Sequence, residues 1–492
     1  MKKKLTRMEA SLNLQDGPIT YEKKWYASIP FWKQLLVCSS VWTMFFMTGM
    51  LVGAPTVFIP QIKAEINSTY KIEDETISWL YSVYGISAVP WVFIVPTISQ
   101  IFGRRLLFII AGFNTMLVFA VLFFSTTTKQ ILISEIMQGY FQSCNLSLCI
   151  IIVSEYAAPR YRGMFLTLKT ASFCWGFWTS NAIGTFFHWK FIPVAGMIIC
   201  LHTFTSFIWP ESPQWLASRG RFEECVVAFR WLNGYNTKSE SELKQLIESQ
   251  RVYLKERKQK SFTILEYVSI EFYKPLFIML VLLTQYFFTG KFVSSIYILD
   301  IVKKITGSER TAYTGMLVLD GVTVLGVYCG CFLTRIINRR TMYLASSSIG
   351  LIILFIIALY LYLVKLMFIV ENKILTVLLL TCLAVVMNSG PMALTTTFCG
   401  EIIPLKYKGS MFMLVSGVYM SYSTLVLKTA PQVFKALGLH GTFLMYGIVT
   451  AVCTTILYYC LPETKDKTLQ QIEEEASSKR LLKENDGQFT EH

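Results

Sequence analysis

The sequence has 492 residues, of which 53% are hydrophobic and only 15% are charged. Soluble domains carry about 25% charged residues, so this chain has too few charged groups to cover a water-facing surface. The composition excludes a single soluble core, intrinsic disorder and a disulfide scaffold. We therefore expect a chain that crosses a lipid bilayer several times as α-helices.

The net charge of +14 raises nucleic-acid binding as an alternative. That interpretation needs a basic face on a soluble domain, whereas the basic residues here lie between apolar runs, where they set membrane topology. We therefore expect no nucleic-acid partner. The scattered cysteines and the four histidines lack the spacing of a metal site or of a catalytic nucleophile. This pattern predicts no metal, no cofactor and no enzyme activity.

Twelve apolar runs long enough to span a bilayer follow one another along the chain. The predicted spans lie near 34–60, 78–101, 106–126, 131–153, 165–187, 191–209, 275–298, 312–334, 341–364, 374–400, 410–432 and 441–461. The predicted parts are a tail 1–33, a six-helix half 34–209, a central loop with short helices 210–273, a six-helix half 274–461 and a tail 462–492. The predicted fold class is an all-α membrane protein.

The charges between the spans predict the orientation of the chain. If the N-terminus is inside, the inner segments carry its lysines, Arg104 and Arg339, whereas the first outer loop, 62–77, carries more acidic than basic residues. By the positive-inside rule both termini and the central loop are cytoplasmic. The same outer loop contains Asn67-Ser68-Thr69, an acceptor for N-glycosylation. We expect a multi-pass protein of the plasma membrane with Asn67 outside.

Three short motifs recur in the two halves after equivalent spans. The recurring pairs are Gly103-Arg104-Arg105 with Asn338-Arg339-Arg340, Glu155-x6-Arg162-Gly163 with Glu401-x6-Lys408-Gly409, and Pro210-Glu211-Ser212 with Pro462-Glu463-Thr464. Three pairs in the same order indicate an internal duplication. Duplicated six-helix halves are typical of transporters that expose a central site to each side of the membrane in turn.

Acidic and basic residues at the inner span ends predict ion pairs that hold the inner side closed. The alternative is that these charges only anchor the span ends. That alternative explains Arg104 or Arg339 alone, but not the repeated glutamate at a fixed distance from a basic residue and a glycine. The predicted gating residues are Arg104, Arg105, Glu155, Arg162, Glu211, Arg339, Arg340, Glu401, Lys408 and Glu463.

Three segments resemble the sugar porter family of the major facilitator superfamily. They are SEYAAPRYRG (154–163), PESPQWLASRGRFEECVVAFRWLNG (210–234) and PETKDKTLQQIEE (462–474). The run GMLVGAPTVFIPQI in span 1 is similar to the insect branch of that family, which holds facilitated trehalose and glucose transporters. The resemblance implies the major facilitator fold, with twelve transmembrane helices in two duplicated halves, and facilitated transport of a sugar or related polyol.

The resemblance also implies which positions face the solute. Few of the amide and carboxylate groups of the family stand at these positions, since the glutamine of span 5 is replaced by Thr170 and the glutamate of span 10 by Asn388. The gating positions of the family differ as well, because Glu135 replaces the arginine near the outer end of span 4. Hydroxyl and amide groups that remain can still bind a polyol. The predicted substrate-binding residues are Thr170, Gln285, Tyr286, Lys291, Asp320, Thr323, Asn388, Thr396 and Tyr419.

Four ionisable residues in or near the spans do not match the family. Lys169 and Lys428 lie near span ends, so we expect their ammonium groups to reach the membrane surface. Lys291 and Asp320 lie about 10 and about 12 Å below the outer edge at 1.5 Å per residue. A buried charge is costly unless it is paired, so we predict that Lys291 and Asp320 form an ion pair facing the cavity. The alternative is two unrelated charges that each face water.

The leading hypothesis is a facilitative transporter of a sugar or related polyol that works by alternating access. Residues 34–60 contain no acidic residue, whereas proton-coupled sugar porters place an aspartate there, and this difference favours uniport. Two alternatives stay open. One is a non-transporting sensor with the same fold, and the other is a carrier of a different organic solute, including an anionic one bound by Lys291. The sequence carries no signal for an oligomeric state.

Overall fold

The computed structural model describes residues 29–64, 74–257, 270–403 and 408–465. The helices up to residue 207 are α1 (Ile29–Ala64), α2 (Asp74–Phe102), α3 (Arg104–Phe124), α4 (Thr128–Leu146), α5 (Leu148–Tyr156), α6 (Pro159–Phe186) and α7 (Phe191–Cys200), followed by a 3₁₀ turn at Leu201–Phe207. The central segment holds α8 (Pro213–Ser218), α9 (Phe222–Asn233) and α10 (Thr237–Arg257).

The helices of the second half follow the same order of long, antiparallel segments. They are α11 (Ile270–Phe288), α12 (Lys291–Ile296), α13 (Ile298–Thr306), α14 (Glu309–Ile336), α15 (Arg339–Lys365), α16 (Lys373–Met387), α17 (Ala393–Glu401) and α18 (Lys408–Cys460). In the described ranges nine helices are long and apolar enough to cross a membrane. The longest of them, α18, contains a left-handed residue at Gly438, with φ of 68°, at the predicted turn between the last two spans.

Capping side chains lie at the N-termini of several helices. Thr127 and Gln130 form a capping box before α4, in which each side chain bonds a backbone amide of the other. Ser308 caps α14 by accepting a hydrogen bond from the Thr311 amide, and Asn372 caps α16 in the same way. These side chains satisfy amide groups that have no partner within the helix.

Three predicted spans are interrupted near the middle of the bundle. Span 4 is interrupted at Ser147, between α4 and α5, and span 7 is broken at Gly290, which has φ of 74°. Span 10 contains a π-helical stretch, Asn388–Met392, around Pro391, because proline has no amide hydrogen to donate to the preceding turn. Irregular backbone of this kind is tolerated within a membrane only where protein or a water-filled cavity surrounds it.

The two ends of the helical bundle carry different parts of the chain. We call the end that carries Pro30, Phe102 and α8–α10 the basic end, and the opposite end, where α1 stops at Ala64 and α14 begins at Glu309, the distal end. The halves meet where α2 packs along α18 and α6 along α14, and α12 contacts α1. Within the first half α1 and α6 approach so closely that a Cβ atom at Gly49 or Gly176 would overlap backbone atoms of the other helix.

Candidate functional site

A cavity of about 220 Å³ lies between the two halves. Its wall is mostly apolar, with polar side chains from both halves, among them Gln142 and Asn145 of α4 and Ser416 of α18. Of the nine predicted substrate-binding residues, seven line this cavity: Thr170, Tyr286, Lys291, Asp320, Thr323, Asn388 and Tyr419. A concave, largely apolar site with a few polar groups is the usual form of a small-molecule binding site.

Gln285 does not line the cavity, contrary to its predicted role. Its amide nitrogen donates to Ser347 Oγ at 3.0 Å and to Thr454 Oγ1 at 3.1 Å. Its amide oxygen accepts a hydrogen bond of 3.1 Å from the Tyr343 hydroxyl. Gln285 therefore joins three helices of the second half, because it lies on the face of α11 that turns away from the first half.

Aromatic side chains form one wall of the cavity. The Tyr419 hydroxyl donates to the Tyr286 hydroxyl over 3.3 Å, and the centres of the two rings are 5.5 Å apart. The Phe287 ring lies behind them, 5.0 Å from the ring of Tyr419. Tyr286 retains a hydroxyl hydrogen that can point to a solute, and the ring faces offer an apolar surface to the C–H face of a sugar.

The predicted ion pair between Lys291 and Asp320 does not form. In the described part of the chain no cation lies within salt-bridge distance of Asp320, and its Oδ2 instead accepts a 2.7 Å hydrogen bond from the Asn181 side-chain amide. The two residues do share one cavity. Equal depth on consecutive helices does not make two side chains partners, because Asp320 faces Asn181 on α6 of the other half.

Of the two lysines predicted to reach the membrane surface, Lys169 is placed inside the bundle, whereas Lys428 is half-buried. Lys169 is 8% exposed, lines the cavity, and its Nζ lies 4.7 Å from the centre of the Phe45 ring. Lys428 Nζ lies 3.9 Å from the centre of the Trp79 ring, so it bridges α18 and α2 near the distal end. Position along a helix gives the depth of a side chain, but the rotation of the helix decides which way it faces.

The described hydrogen bonds between the halves lie from the middle of the bundle to its distal end. Thr56 Oγ1 donates to the Ile296 carbonyl at 3.1 Å, and Thr424 Oγ1 donates to the Ser82 carbonyl at 3.2 Å. The rings of Tyr81 and Tyr297 are 4.5 Å apart, centre to centre, across the same boundary. These contacts close the cavity at the distal end.

At the basic end, Arg104 and Glu155 form the expected type of ion pair. Arg104 Nη2 lies 3.3 Å from Glu155 Oε1 and Arg104 Nε lies 3.3 Å from Oε2, so the contact is bidentate. The two side chains are only 6% and 10% exposed. Arg104 Nη1 also donates to the Ser99 carbonyl at 2.7 Å. Because α2, α3 and α5 all belong to the first half, this contact lies within that half.

Glu211 and Glu463 bind backbone amides at the starts of helices. Glu211 accepts from the amides of Arg104 at 2.9 Å and Arg105 at 3.2 Å, at the start of α3. Glu463 accepts from the amides of Arg339 at 3.2 Å and Arg340 at 3.1 Å, at the start of α15. We expected both glutamates to pair with basic side chains. They instead satisfy the free amides and the positive dipole of a helix N-terminus.

The residue before each of these helices differs between the halves. Gly103 has φ of 99°, and a Cβ atom there would collide with the Glu211 carboxylate. Asn338, the equivalent residue, has φ of −62°, which a residue with a side chain adopts readily. The duplicated cap is therefore conserved in its contacts, while only the first copy requires a glycine.

Arg105 and Arg340 occupy equivalent positions as well. Arg105 Nε donates to the Ser206 carbonyl at 3.0 Å, and Arg340 Nη2 donates to the Tyr458 carbonyl at 2.6 Å. Each arginine therefore binds a carbonyl group near the end of the last helical segment of its half. The remaining predicted residues cannot be compared with the structure. The side chains of Arg162, Thr396, Glu401 and Lys408 are not described, and Asn67 lies outside the described residues.

A polar stripe on α4, for which the sequence interpretation gave no function, leads toward the cavity. It consists of Glu135, Gln138, Gln142 and Asn145, which repeat at helical spacing and are all buried. Glu135 Oε2 accepts a 2.7 Å hydrogen bond from Gln138, whereas Oε1 has no partner among the described residues. In the sequence, the helical spacing of these four polar residues within an otherwise apolar helix indicates such a stripe.

Comparison with known proteins assigns the family. The profile described as Sugar (and other) transporter matches residues 34–476, which is most of the chain. The chain belongs to this family. It is therefore a multi-pass membrane protein of a transporter family and not an enzyme, as the sequence predicted.

Individual relatives are distant in sequence. A facilitated trehalose transporter (Tret1) of Drosophila grimshawi is 25% identical over 460 residues, covering 90% of this chain and 48% of the relative. The protein of the same name from Apis mellifera ligustica is 23% identical, covering 89% of this chain and 87% of the relative. The chain thus spans about half the length of the Drosophila grimshawi relative and most of the bee relative.

Solved structures of the xylose transporter XylE share the fold. The proton:xylose symporter XylE bound to 6-bromo-6-deoxy-D-glucose superposes with a TM-score of 0.71 at 16% identity, covering 91% of this chain and 99% of that one. The inward open conformation of XylE from E. coli has a TM-score of 0.70 at 16% identity, covering 90% and 99%. The chain therefore has the major facilitator fold, which confirms the predicted fold class.

Proposed function

We propose that this chain is a facilitative transporter that moves a sugar or related polyol through the cavity between its halves. The observation that carries this proposal is a cavity with walls from both halves, in a member of a sugar transporter family. Tyr286, Tyr419 and Thr323 supply hydroxyl groups, and Asn388 supplies an amide, so the wall combines hydrogen-bonding groups with aromatic faces.

Transport proceeds by rocking of the two halves around this cavity. Closure at the distal end involves α1 with α12, α2 with α18, and α6 with α14. Opening the distal end requires these contacts to break while the halves approach each other at the basic end. The solute site is then exposed to one side at a time, as alternating access requires.

The basic end faces the cytoplasm in this proposal, and the chain resides in the plasma membrane. The proposal is supported by the arginines at the starts of α3 and α15, and by the excess of acidic over basic residues in the loop 62–77. Closure at the distal end then corresponds to a cavity that is shut to the outside. Uniport is supported by the absence of acidic residues between positions 34 and 60.

Counterflow into proteoliposomes tests the proposal. Purified protein should accumulate labelled D-glucose, D-xylose or trehalose against unlabelled sugar inside, and an imposed proton gradient should not change the final level. Tyr286→Phe should lower sugar uptake, because it removes a hydroxyl hydrogen from the cavity. Tyr362→Phe is the matched control, since Tyr362 is exposed on α15. Folded protein that transports neither these sugars nor a charged sugar derivative would contradict the proposal.

A further inference from the structure

Two lysines line the cavity, one from each half. Lys169 lies on α6 and Lys291 is the first residue of α12. Lys169 is 8% exposed, and its ammonium group rests on the ring of Phe45. Among the described residues that form the wall, Asp320 is the one carboxylate. With all three groups ionised, the described wall carries a net charge of +1.

Neither lysine has an acidic partner in the described part of the chain. Asp320 is within salt-bridge distance of neither, and its carboxylate is already bound by Asn181 at 2.7 Å. The described side chains also accept no hydrogen bond from the ammonium group of Lys169 or Lys291. Each ammonium group has three hydrogens to donate, and the aromatic ring under Lys169 is a weak substitute for an anion.

An ammonium group removed from water is unfavourable unless an anion or hydrogen-bond acceptors compensate it. Ionisable residues within a membrane that face a cavity commonly mark the path of a solute. A neutral sugar would leave the positive charge of this wall uncompensated. A monoanion would neutralise the wall, whereas a phosphate ester with a charge of about −2 at neutral pH would reverse its sign.

We propose that the preferred solute of this cavity is a monoanionic sugar derivative, a sugar acid with one carboxylate. Lys169 binds the carboxylate, Lys291 provides a second positive charge from the other half, and Tyr286 and Tyr419 face the polyol part. This inference rests on the proposed transport function and specifies its substrate class. Binding by one lysine from each half also couples the solute to the movement of the halves.

The test compares D-glucuronate with D-glucose, which differ only at the sixth carbon. Proteoliposomes containing the full chain are assayed for counterflow of each labelled solute. A hydrogen bond to a charged group changes affinity by about tenfold or more, so glucuronate should be taken up about tenfold more efficiently than glucose. Lys169→Met should lower the ratio of glucuronate uptake to glucose uptake by a similar factor, and Lys169→Arg should retain that ratio.

Lys274→Met is the matched control, because Lys274 is an exposed lysine of α11 outside the cavity. It should not alter the uptake of either solute. The comparison of the two solutes in the unmodified protein does not depend on any variant, so a poorly folded variant does not obscure the result. Thermal unfolding of each variant in detergent identifies such loss of folding.

Three outcomes would overturn the inference. Transport of glucose without transport of, or competition by, glucuronate would overturn it and leave the proposed function intact. Glucuronate uptake that is unchanged in both Lys169→Met and Lys291→Met would overturn the assignment of the lysines. Uptake of neither solute by folded protein, in a preparation that also transports none of the neutral sugars, would overturn this inference together with the proposed function.

Discussion

The side-chain amide of Asn181 donates a 2.7 Å hydrogen bond to the carboxylate of Asp320, and this bond joins the two halves of the bundle. Asn181 is 0% and Asp320 is 4% exposed, so both side chains are buried. A hydrogen bond to a charged group contributes about 1.5–3 kcal/mol. Because Asn181 and Asp320 lie on helices that separate when the distal end opens, the bond stabilises the distally closed state.

Asn181→Ala should therefore increase the population of the distally open state by about tenfold. The distance between spin labels at Lys63 and Arg310, two exposed residues at the distal end, can be measured by pulsed electron paramagnetic resonance. Asn181→Ala should show a larger fraction of long distances than the unmodified protein. Asp320→Asn should have a smaller effect, since two amides can still form a hydrogen bond. An unchanged distance distribution in Asn181→Ala would contradict this role.

The Arg104–Glu155 pair should stabilise the first half rather than connect the halves. Breaking a buried pair costs about 3 kcal/mol or more because one charge stays unpaired, so Glu155→Gln should lower the unfolding temperature in detergent. The double variant Arg104→Gln, Glu155→Gln should recover part of that loss. Arg221→Gln is the control, since its pair with Glu224 is about half exposed, and it should change little. A double variant no more stable than the worse single variant would contradict the prediction.

The two glutamate caps should make equivalent contributions in the two halves. Glu211→Ala and Glu463→Ala should each destabilise the protein by about 1 kcal/mol, the usual value for a lost helix cap. Glu211→Gln should cost less, because an amide oxygen still accepts from the amides of Arg104 and Arg105. Chemical unfolding of the three variants measures the difference. Equal losses in Glu211→Gln and Glu211→Ala would show that negative charge, not hydrogen bonding, is decisive.

Glu135 should tolerate replacement by its neutral isostere. No described cation lies within salt-bridge distance of its carboxyl group, and the facing titratable group on α2 is Tyr84. Positions 106–124 of α3 and 34–62 of α1 contain no charged residue. Replacing this carboxyl group by an amide breaks no ion pair among the described residues, and Gln138 can still donate to the amide oxygen. Glu135→Gln should therefore retain folding and uptake, measured by thermal unfolding and counterflow; loss of uptake alone would show that the acid itself takes part in transport.

The proposed topology predicts that Asn67 is glycosylated. Asn67 lies outside the described residues, and its place outside the cell follows from the charges of the loops. Glycosidase treatment of protein made in insect or mammalian cells should increase its electrophoretic mobility. Asn67→Gln should already migrate at the faster position. A shift that persists in Asn67→Gln would mean that the loops are assigned to the wrong sides.

The sequence alone was sufficient to predict the helical membrane class, the duplication, the family and seven of the residues that line the cavity. These features depend on apolar run length, charge between runs and motifs in contiguous residues, all of which are local along the chain. The partner of Glu155 was also within reach of the sequence, because the repeated motifs lie at the same end of neighbouring spans.

Only the tertiary structure decided which buried polar groups meet. Asp320 binds Asn181 and not Lys291, Gln285 turns toward Ser347, and Lys169 enters the cavity. Sequence position gives the depth of a residue along a helix through the rise per residue. It does not give the rotation of that helix or the neighbour that packs against each face, because these depend on side-chain packing among helices far apart in the chain. That is why the predicted depths of Lys291 and Asp320 did not reveal that Asp320 binds Asn181.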